Sequence, residues 1–293
     1  MSWILMIIIG IIVLAYLGIS LYIAREMTKE TARRLEIGPT EISANFEEVA
    51  FKDKDGLTLR GWFFPAGNGK AVVMVAGILN NRVNLGYKTP DITKDLLAQG
   101  YSVLLYDHRA TGLSDGKRVS YGQHEGSGVL QAVRLVESKG FALKNIGIIA
   151  DSMGTAATLE VIDQLQEVGP IVLDSPPSDI AAVSSHILST EQGVPGFLHP
   201  GIYFFNKILF GVDLDAVKPM EKIKLVPERV FLFLHGALDT SVLPSNSQTL
   251  LSLANPDSKL VLFPNGKHIE TYKTDPELYL EEVFPFLEGG FNQ

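Results

Sequence analysis

The connection around Ser152 constrains the fold of this chain more than any other feature of its sequence. Residues 146–150 have the length and branched composition of a buried strand, and residues 153–168 contain strong helix formers and no proline. Ser152 therefore lies on a tight turn from strand to helix, which needs small residues two positions before and after the serine. Because Ala150 and Gly154 occupy those positions, the pattern predicts a nucleophile elbow in which alanine replaces the usual first glycine.

Apolar runs of strand length alternate with segments of helix length along most of the chain. The strand-like runs are residues 46–52, 57–64, 71–75, 102–106, 146–150, 171–173, 230–234 and 260–263. The helix-like segments are residues 93–99, 128–139, 153–168, 245–253 and 276–287. This alternation predicts an α/β fold with a mainly parallel sheet and helices on both faces. An Asp-Gly pair at residues 55–56 predicts that the first two strands form an antiparallel hairpin.

An acid and a histidine follow Ser152 in the order that an elbow serine requires. Asp239 lies just beyond the strand-like run at 230–234, and His268 is the one histidine of six that follows Asp239. Taken alone, Ser152 could cap a helix and Asp239 could form a solvated turn. Catalysis is favoured because Ser152, Asp239 and His268 each follow a strand-like run and come in the required order. The sequence therefore predicts a triad in which Ser152 attacks an acyl carbonyl, His268 transfers the proton and Asp239 holds the imidazole tautomer.

The loop after the strand-like run at 71–75 is the candidate oxyanion hole. It begins Ala76-Gly77-Ile78, where a backbone amide can turn toward the elbow. We expect the amides of Ile78 and Met153 to stabilise the oxyanion that forms during acyl transfer. A plain glycine turn is the alternative for this segment.

Composition and charge exclude several classes of function. The chain has 293 residues, 46% of them hydrophobic, with a net charge of −8 and no cysteine. An acidic chain without a long basic block offers no surface for nucleic acid, and the lack of cysteine excludes a cysteine nucleophile, thiolate metal sites and disulfides. The sequence has neither a metal-ligand spacing of Asp, Glu and His nor a glycine-rich phosphate loop, so we expect no metal and no organic cofactor.

An uncharged stretch at residues 3–24 is long enough, at about 1.5 Å per residue, to cross a hydrocarbon core of about 30 Å as a helix. We interpret residues 1–24 as the transmembrane anchor of a single-pass cell-membrane protein and residues 25–44 as a charged, helical linker. A cleaved signal peptide and a buried core helix are the alternatives. They fit less well, because the start carries no basic residue and the stretch is apolar all round.

The side of the membrane that the catalytic domain faces stays open. Basic residues after the span favour the cytoplasm, whereas the lack of cysteine also fits an exported domain. These basic residues are Arg25, Lys29, Arg33 and Arg34. Since the anchor lies outside the predicted sheet, we expect deletion of residues 1–24 to release a soluble, active domain.

Residues 45–293 predict one catalytic domain with an insertion near residues 176–228, where the alternation of strands and helices stops. An insertion at this place would cap the active site. It contains a run of large apolar side chains, and we take Phe204 and Phe205 as candidate substrate-binding residues that favour an apolar acyl or leaving group. The alternative is that this helix packs on the sheet or within the cap.

Several segments carry a resemblance to a known family. They are residues 106–116, 150–154, 173–176, 235–239 and 266–268. Together they resemble the α/β-hydrolase superfamily, in particular membrane-anchored bacterial hydrolases related to the serine aminopeptidase-like group and to the α/β-hydrolase-domain enzymes of types 13 and 17. The resemblance implies a serine hydrolase that cleaves an ester or related acyl bond. A peptidase or amidase of the same fold is one alternative, and an inactive scaffold that acts as a binding protein is another.

Some residues within the resembling region depart from the family pattern or are expected to be structural. Alanine stands before the oxyanion glycine, at Ala76, and in the elbow, at Ala150, while Gly128 occupies a position where an acidic residue is expected. Four polar residues are expected to order loops rather than to take part in the chemistry. They are Asp107, His108, Arg109 and His235. The physiological substrate and the oligomeric state are not predicted.

Overall fold

The computed structural model describes residues 2–31, 34–78 and 80–291, and these residues contain one eight-stranded sheet. Its strands are β1 (Glu47–Lys52), β2 (Thr58–Phe64), β3 (Ala71–Val75), β4 (Ser102–Tyr106), β5 (Ile146–Asp151), β6 (Ile171–Asp174), β7 (Phe231–Gly236) and β8 (Lys259–Phe263). Their order in the sheet is β1-β2-β4-β3-β5-β6-β7-β8. β2 pairs antiparallel with β1 and β4, and all the other pairs are parallel. The predicted mainly parallel sheet and its opening antiparallel hairpin are confirmed.

Helices lie on both faces of this sheet, and further helices lie in the N-terminal segment and between β6 and β7. They are α1 (Ser2–Thr28), α2 (Thr89–Ala98), α3 (Glu125–Ser138), α4 (Met153–Glu160), α5 (Ile180–Thr190), α6 (His199–Phe210), α7 (Pro219–Lys222), α8 (Ser245–Leu253), α9 (Thr271–Thr274) and α10 (Pro276–Phe291). Val129 of α3 and Ala157 of α4 belong to the hydrophobic cluster on one face. Leu96 of α2 and Val283 of α10 belong to the cluster on the other. The core therefore consists of two layers separated by the sheet.

The central strands are buried on both faces, which explains their apolar sequences. Every residue of β3, β4, β5, β6 and β7 is buried. Successive side chains point to opposite faces, so Val73 packs in one cluster and Val72 in the other. A strand that needs apolar groups on both faces is a continuous apolar run, and the predicted strand limits lie within two residues of the observed ones.

The helix after Ser152 is shorter than the sequence indicated. We predicted it over residues 153–168, but α4 ends at Glu160. The next residue, Val161, leaves the helical region with φ −116° and ψ 18°, and a short 3-10 helix follows at Ile162–Gln164. Two adjacent β-branched residues weaken helix propensity at this point, although strong helix formers continue beyond it.

In the segment predicted as a helical linker, residues 25–44, the described residues are helical in two places, residues 25–28 at the end of α1 and a short 3-10 helix at Pro39–Glu41. α1 continues to Thr28, and the residues that follow it run along the domain that contains the sheet. Lys29 forms a β-bridge with Arg118, and the Thr31 amide donates to the Ala110 carbonyl at 3.1 Å. Arg33, one of the basic residues used to argue orientation, lies outside the described residues.

The insertion between β6 and β7, which we call the cap, contains α5, α6 and α7. Its helix α6 packs against the second half of α1. A Cβ atom on Gly201 would lie 2.6 Å from Ser20 Oγ and 2.8 Å from the Tyr16 hydroxyl oxygen, so the two helices approach where α6 lacks a side chain. Ala24 is fully buried in the same contact, beside Ile202. The sequence pattern places α1 outside the predicted sheet domain and does not predict this contact.

Candidate active site

Ser152 occupies a strained turn between β5 and α4. Its backbone has φ 49° and ψ −122°, a positive φ that costs energy for a residue with a side chain. The turn requires close backbone approach, because a Cβ atom on Gly154 would overlap the Val75 carbonyl oxygen. Ala150 fits at the other small position as a fully buried residue of β5. The local geometry is therefore that of the predicted elbow, and alanine in place of the first glycine does not prevent it.

The predicted acid and histidine lie next to this serine. Ser152 Oγ is 2.9 Å from His268 Nε2, and His268 Nδ1 is 2.7 Å from Asp239 Oδ2. Asp239 follows β7 and His268 follows β8, so both side chains project from loops at the carboxyl edge of the sheet. Ser152, His268 and Asp239 thus form one continuous hydrogen-bonded chain, although Asp239 and Ser152 precede His268 by 29 and 116 positions in the sequence.

Asp239 is held as a carboxylate by several donors. The amides of Ser241 and Val242 donate to its Oδ1 at 2.9 Å, while Oδ2 faces His268 and lies 3.2 Å from His235 Nε2. Burial raises the pKa of Asp239, but the hydrogen bonds from His235 and His268 outweigh it and lower the pKa to about 2. The acid is therefore ionised at neutral pH and can fix the imidazole of His268.

Opposing effects set the pKa of His268. Burial lowers it, whereas the hydrogen bond and negative charge of Asp239, with further charge from Asp151 and Asp174, raise the pKa above its ordinary value of 6.5. The protonated imidazole that would form during catalysis is thereby stabilised.

Two buried carboxylates that sequence analysis did not assign lie beside the elbow. Asp151 Oδ2 accepts the Gly77 amide at 3.0 Å and so ties the oxyanion loop to the residue before Ser152. Burial and the charge of Asp174 raise the pKa of Asp151 to about 7, and burial raises the pKa of Asp174 to about 6. An acidic residue at the end of a fully apolar strand was the sequence signal that could have identified both.

Asp174 and the residue after it hold the loop that carries His268. Asp174 accepts hydrogen bonds from the hydroxyls of Ser175 and Thr271, and the Ser175 hydroxyl accepts the amide of Ile269 at 3.2 Å. Ser175 and Ile269 both have positive φ, 51° and 53°. The two strained turns are therefore linked side by side, one of them directly after the histidine.

The candidate oxyanion loop lies against the elbow. A Cβ atom on Gly77 would lie 2.8 Å from Asp151 Oδ2 and 3.0 Å from Ser152 Cβ, which explains glycine at this position. Ile78 follows it, and Met153 is the first residue of α4. Within residues 2–31, 34–78 and 80–291, we find no hydrogen bond donated by the amide of either Ile78 or Met153.

Three of the four polar residues expected to order loops make hydrogen bonds or ion pairs, and the fourth, the buried His108, packs edge-on against the Tyr106 ring. Asp107 accepts the Arg82 amide at 2.8 Å and the Arg82 guanidinium at 2.5 Å, and both side chains are buried. Arg109 pairs with Asp55 at 2.8 Å. His235 Nδ1 lies 2.6 Å from the Ser247 hydroxyl. His235 also borders Asp239, so it supports the acid of the triad as well as its own loop.

At position 128, where the family pattern has an acidic residue, this chain has glycine. An acidic residue, Glu125, lies three positions earlier. Glu125 accepts hydrogen bonds from the amides of Ser120 and Gly122 at 2.8 and 2.9 Å and so fixes the turn before α3. At Gly128 itself a Cβ atom would lie 2.9 Å from Leu59 Cδ1, so glycine allows α3 to pack closely on β2.

The two aromatic residues proposed for substrate binding lie on α6. Phe205 packs in the cluster between α1 and α6. Phe204 is 57% exposed and borders an open groove of about 560 Å³ with Ser185 and His199. Among the described residues that line this groove, none belongs to the predicted triad. The structure thus gives Phe205 a packing position that sequence analysis had weighed only as an alternative.

Comparisons with known proteins agree with this architecture. No family model matches the chain. YfhR of Escherichia coli (strain K12) is 26% identical over 261 residues, which cover 87% of this chain and 84% of YfhR. The esterase Pf2001 of Pyrococcus furiosus superposes with a TM-score of 0.75 at 22% identity and covers 90% of this chain and 98% of its own. The α/β hydrolase GrgF of Penicillium superposes with a TM-score of 0.68 at 19% identity and covers 85% and 99%. The chain therefore has the α/β-hydrolase fold.

Proposed function

We propose that this protein is a serine hydrolase that cleaves an ester or related acyl bond. The observation that carries the proposal is the hydrogen-bonded chain of Ser152, His268 and Asp239, with distances of 2.9 and 2.7 Å, at a strained elbow. A serine that only capped α4 would need neither a positive φ nor a histidine partner, and its side chain makes no capping hydrogen bond. Pf2001, whose structure superposes on this chain, is an esterase, which is consistent with the proposed bond type.

The proposed mechanism assigns each group one step. Neutral His268 accepts the Ser152 hydroxyl proton at Nε2 as Oγ attacks the acyl carbonyl, while Nδ1–H donates to Asp239. His268 then returns the proton to the leaving group, and an acyl-enzyme forms at Ser152. Water activated by the same imidazole releases the acid and restores the serine.

The amides of Ile78 and Met153 are proposed to bind the oxyanion of the tetrahedral intermediate. Ile78 directly follows Gly77, which lies against the elbow, and Met153 directly follows Ser152 within the elbow. Asp151 would support this role, because its carboxylate holds the Gly77 amide and thus the loop that carries Ile78. Fixed donors of this kind stabilise developing negative charge without reorganising during the reaction.

We also propose that α1 anchors the protein in a membrane. Residues from Trp3 to Thr28 are long and apolar enough to cross a bilayer, and only 6% of the apolar window is buried by the rest of the chain. A core helix of a soluble domain would be mostly covered, so this exposure favours an anchor. The basic Arg25 and Lys29 follow the apolar stretch, where charged groups can reach lipid headgroups.

Turnover of a p-nitrophenyl ester by the full chain tests the proposed reaction. Ser152→Ala and His268→Ala should each lower kcat by about 10³-fold or more, since the triad acts as a unit. Ser185→Ala is the matched control, because Ser185 also lies beside a histidine, with its Oγ 2.8 Å from His199 Nδ1. Activity that survives Ser152→Ala and is lost in Ser185→Ala would contradict the assignment.

A further inference from the structure

The free part of α1 is too short to cross a bilayer without the part that packs on the cap. From Trp3 to Ala15 every residue is exposed except the half-buried Gly10. This part spans about 20 Å at about 1.5 Å per residue, whereas the hydrocarbon core is about 30 Å thick. Residues 16–24 add about 13 Å and complete the span. These are the residues that contact α6, so a spanning α1 brings α6 to the depth of the bilayer.

The two helices run in the same direction. Near its start α6 meets α1 at Gly201, beside Tyr16 and Ser20. Near its end the Arg118 guanidinium lies 3.7 Å from the centre of the Phe210 ring and donates to Thr28 Oγ1 at 2.9 Å. The first half of α6 therefore lies level with the apolar part of α1, and its second half lies level with the charged end.

The outer side of α6 matches this arrangement. Its exposed apolar side chains, with the one that precedes the helix, are Phe197 at 68%, Phe204 at 57%, Ile208 at 62% and Leu209 at 55% exposure. Phe204 and Ile208 lie one turn apart and therefore share a face. The exposed Lys207, paired with Asp213 at 2.7 Å, comes only in the second half of the helix.

On the α1 side of the contact, exposed apolar residues continue the same surface. Leu17, Ile19, Leu21 and Tyr22 are between 37% and 63% exposed although they belong to the half that packs on the cap. Isolated exposed apolar residues are ordinary, but a group on two packed helices forms a patch that water solvates poorly. Acyl chains are the occupant that fits, because α1 already places this level inside the hydrocarbon.

We propose that α6 lies in the boundary of the bilayer beside α1, with Phe197 and Phe204 among the acyl chains and Lys207 at the level of the headgroups. The proposal rests on the proposed anchoring by α1 and adds a second, cap-borne membrane contact to it. The cap is then fixed at the lipid surface by a helix pair rather than tethered by a flexible linker. Phe204, predicted from sequence to contact substrate, is assigned to lipid instead.

Depth-dependent quenching tests this surface in the full chain. The chain has no cysteine, so single variants Phe197→Cys, Phe204→Cys, Ile8→Cys and Leu262→Cys can each carry one environment-sensitive fluorophore. Ile8 lies in the free half of α1 and is 49% exposed, and Leu262 lies on the edge strand β8 and is 41% exposed. The labelled proteins are placed in phosphatidylcholine–phosphatidylglycerol vesicles, with doxyl-labelled phosphatidylcholine as lipid quencher and iodide as aqueous quencher.

The expected result is a shift of emission to shorter wavelength and a loss of fluorescence to the doxyl lipid at positions 197, 204 and 8. Position 262 should lose fluorescence to iodide only. If position 8 is quenched by lipid and positions 197 and 204 only by iodide, the anchor stands and the cap surface is wrong. If position 8 is also quenched only by iodide, the proposed anchor fails, and the cap surface fails with it.

Discussion

At the scale of single residues, the charges around His268 set the pH at which it becomes protonated, and we expect this pKa to control how activity depends on pH. In the proposed mechanism His268 must be neutral to accept the Ser152 proton, so we expect activity to be lost as pH falls through the pKa of His268. Asp239, Asp151 and Asp174 raise that pKa above the ordinary value of 6.5, although burial opposes them. We therefore expect kcat/KM to rise with pH through a midpoint above 6.5.

A substitution near the histidine checks the cause of this shift. Asp151→Asn removes a negative charge that raises the pKa of His268 while it keeps an acceptor for the Gly77 amide. The midpoint of kcat/KM against pH should move toward lower pH in this variant, and it should not move in Asp163→Asn, whose side chain is on the surface. A wild-type midpoint below 6.5, or one that Asp151→Asn moves upward, would show that these charges do not act as described.

At the scale of elements, the elbow depends on how closely α4 approaches β3. Gly154→Ala would push a methyl group into the Val75 carbonyl oxygen. The oxygen belongs to the backbone and the methyl group is attached directly to the backbone, so neither can turn aside as a long side chain could. Overpacking of this kind costs typically about 1–3 kcal/mol, and the strained turn would move Ser152 away from His268. We expect a lower melting temperature and a loss of ester turnover together.

Gly67→Ala is the control for this change, because no atom lies within 4 Å of a Cβ built at Gly67. It should alter the free energy of unfolding by less than about 0.5 kcal/mol, as surface substitutions commonly do. Retention of wild-type activity and stability in Gly154→Ala would mean that the turn tolerates a Cβ and is not closely packed.

Strands that must be apolar on both faces could be predicted from the sequence, whereas the contact between α1 and α6 could not. The buried strands could be predicted because burial on both faces demands continuous apolar runs, and His268 could be proposed for the triad because chain order selected it. By contrast, α1 is apolar all round, so its sequence pattern does not distinguish a face that meets lipid from one that meets α6. Ser20 and Ala24, small and one turn apart, were the only sign of the packed face.

At the scale of the whole molecule, the packing of α1 on the cap changes what a truncation should do. The sequence alone predicts that deletion of residues 1–24 gives a soluble, active domain, but that deletion uncovers Ile202 and Phe205 of α6. Deletion of residues 1–14 keeps Tyr16, Ser20 and Ala24 in place. We therefore expect the longer deletion to show the lower melting temperature and more aggregation in size-exclusion chromatography. Equal behaviour of the two would mean that α1 adds nothing to the stability of the cap.

The central claim is that the fold activates one particular serine, and active-site labelling tests it most directly. The full chain is treated with a fluorophosphonate, digested, and analysed by mass spectrometry to locate the adduct. The arrangement of Ser152, His268 and Asp239 predicts a single adduct on Ser152 that is absent from Ser152→Ala and strongly reduced in His268→Ala. An adduct on Ser185, or an unlabelled Ser152 in folded protein, would contradict it.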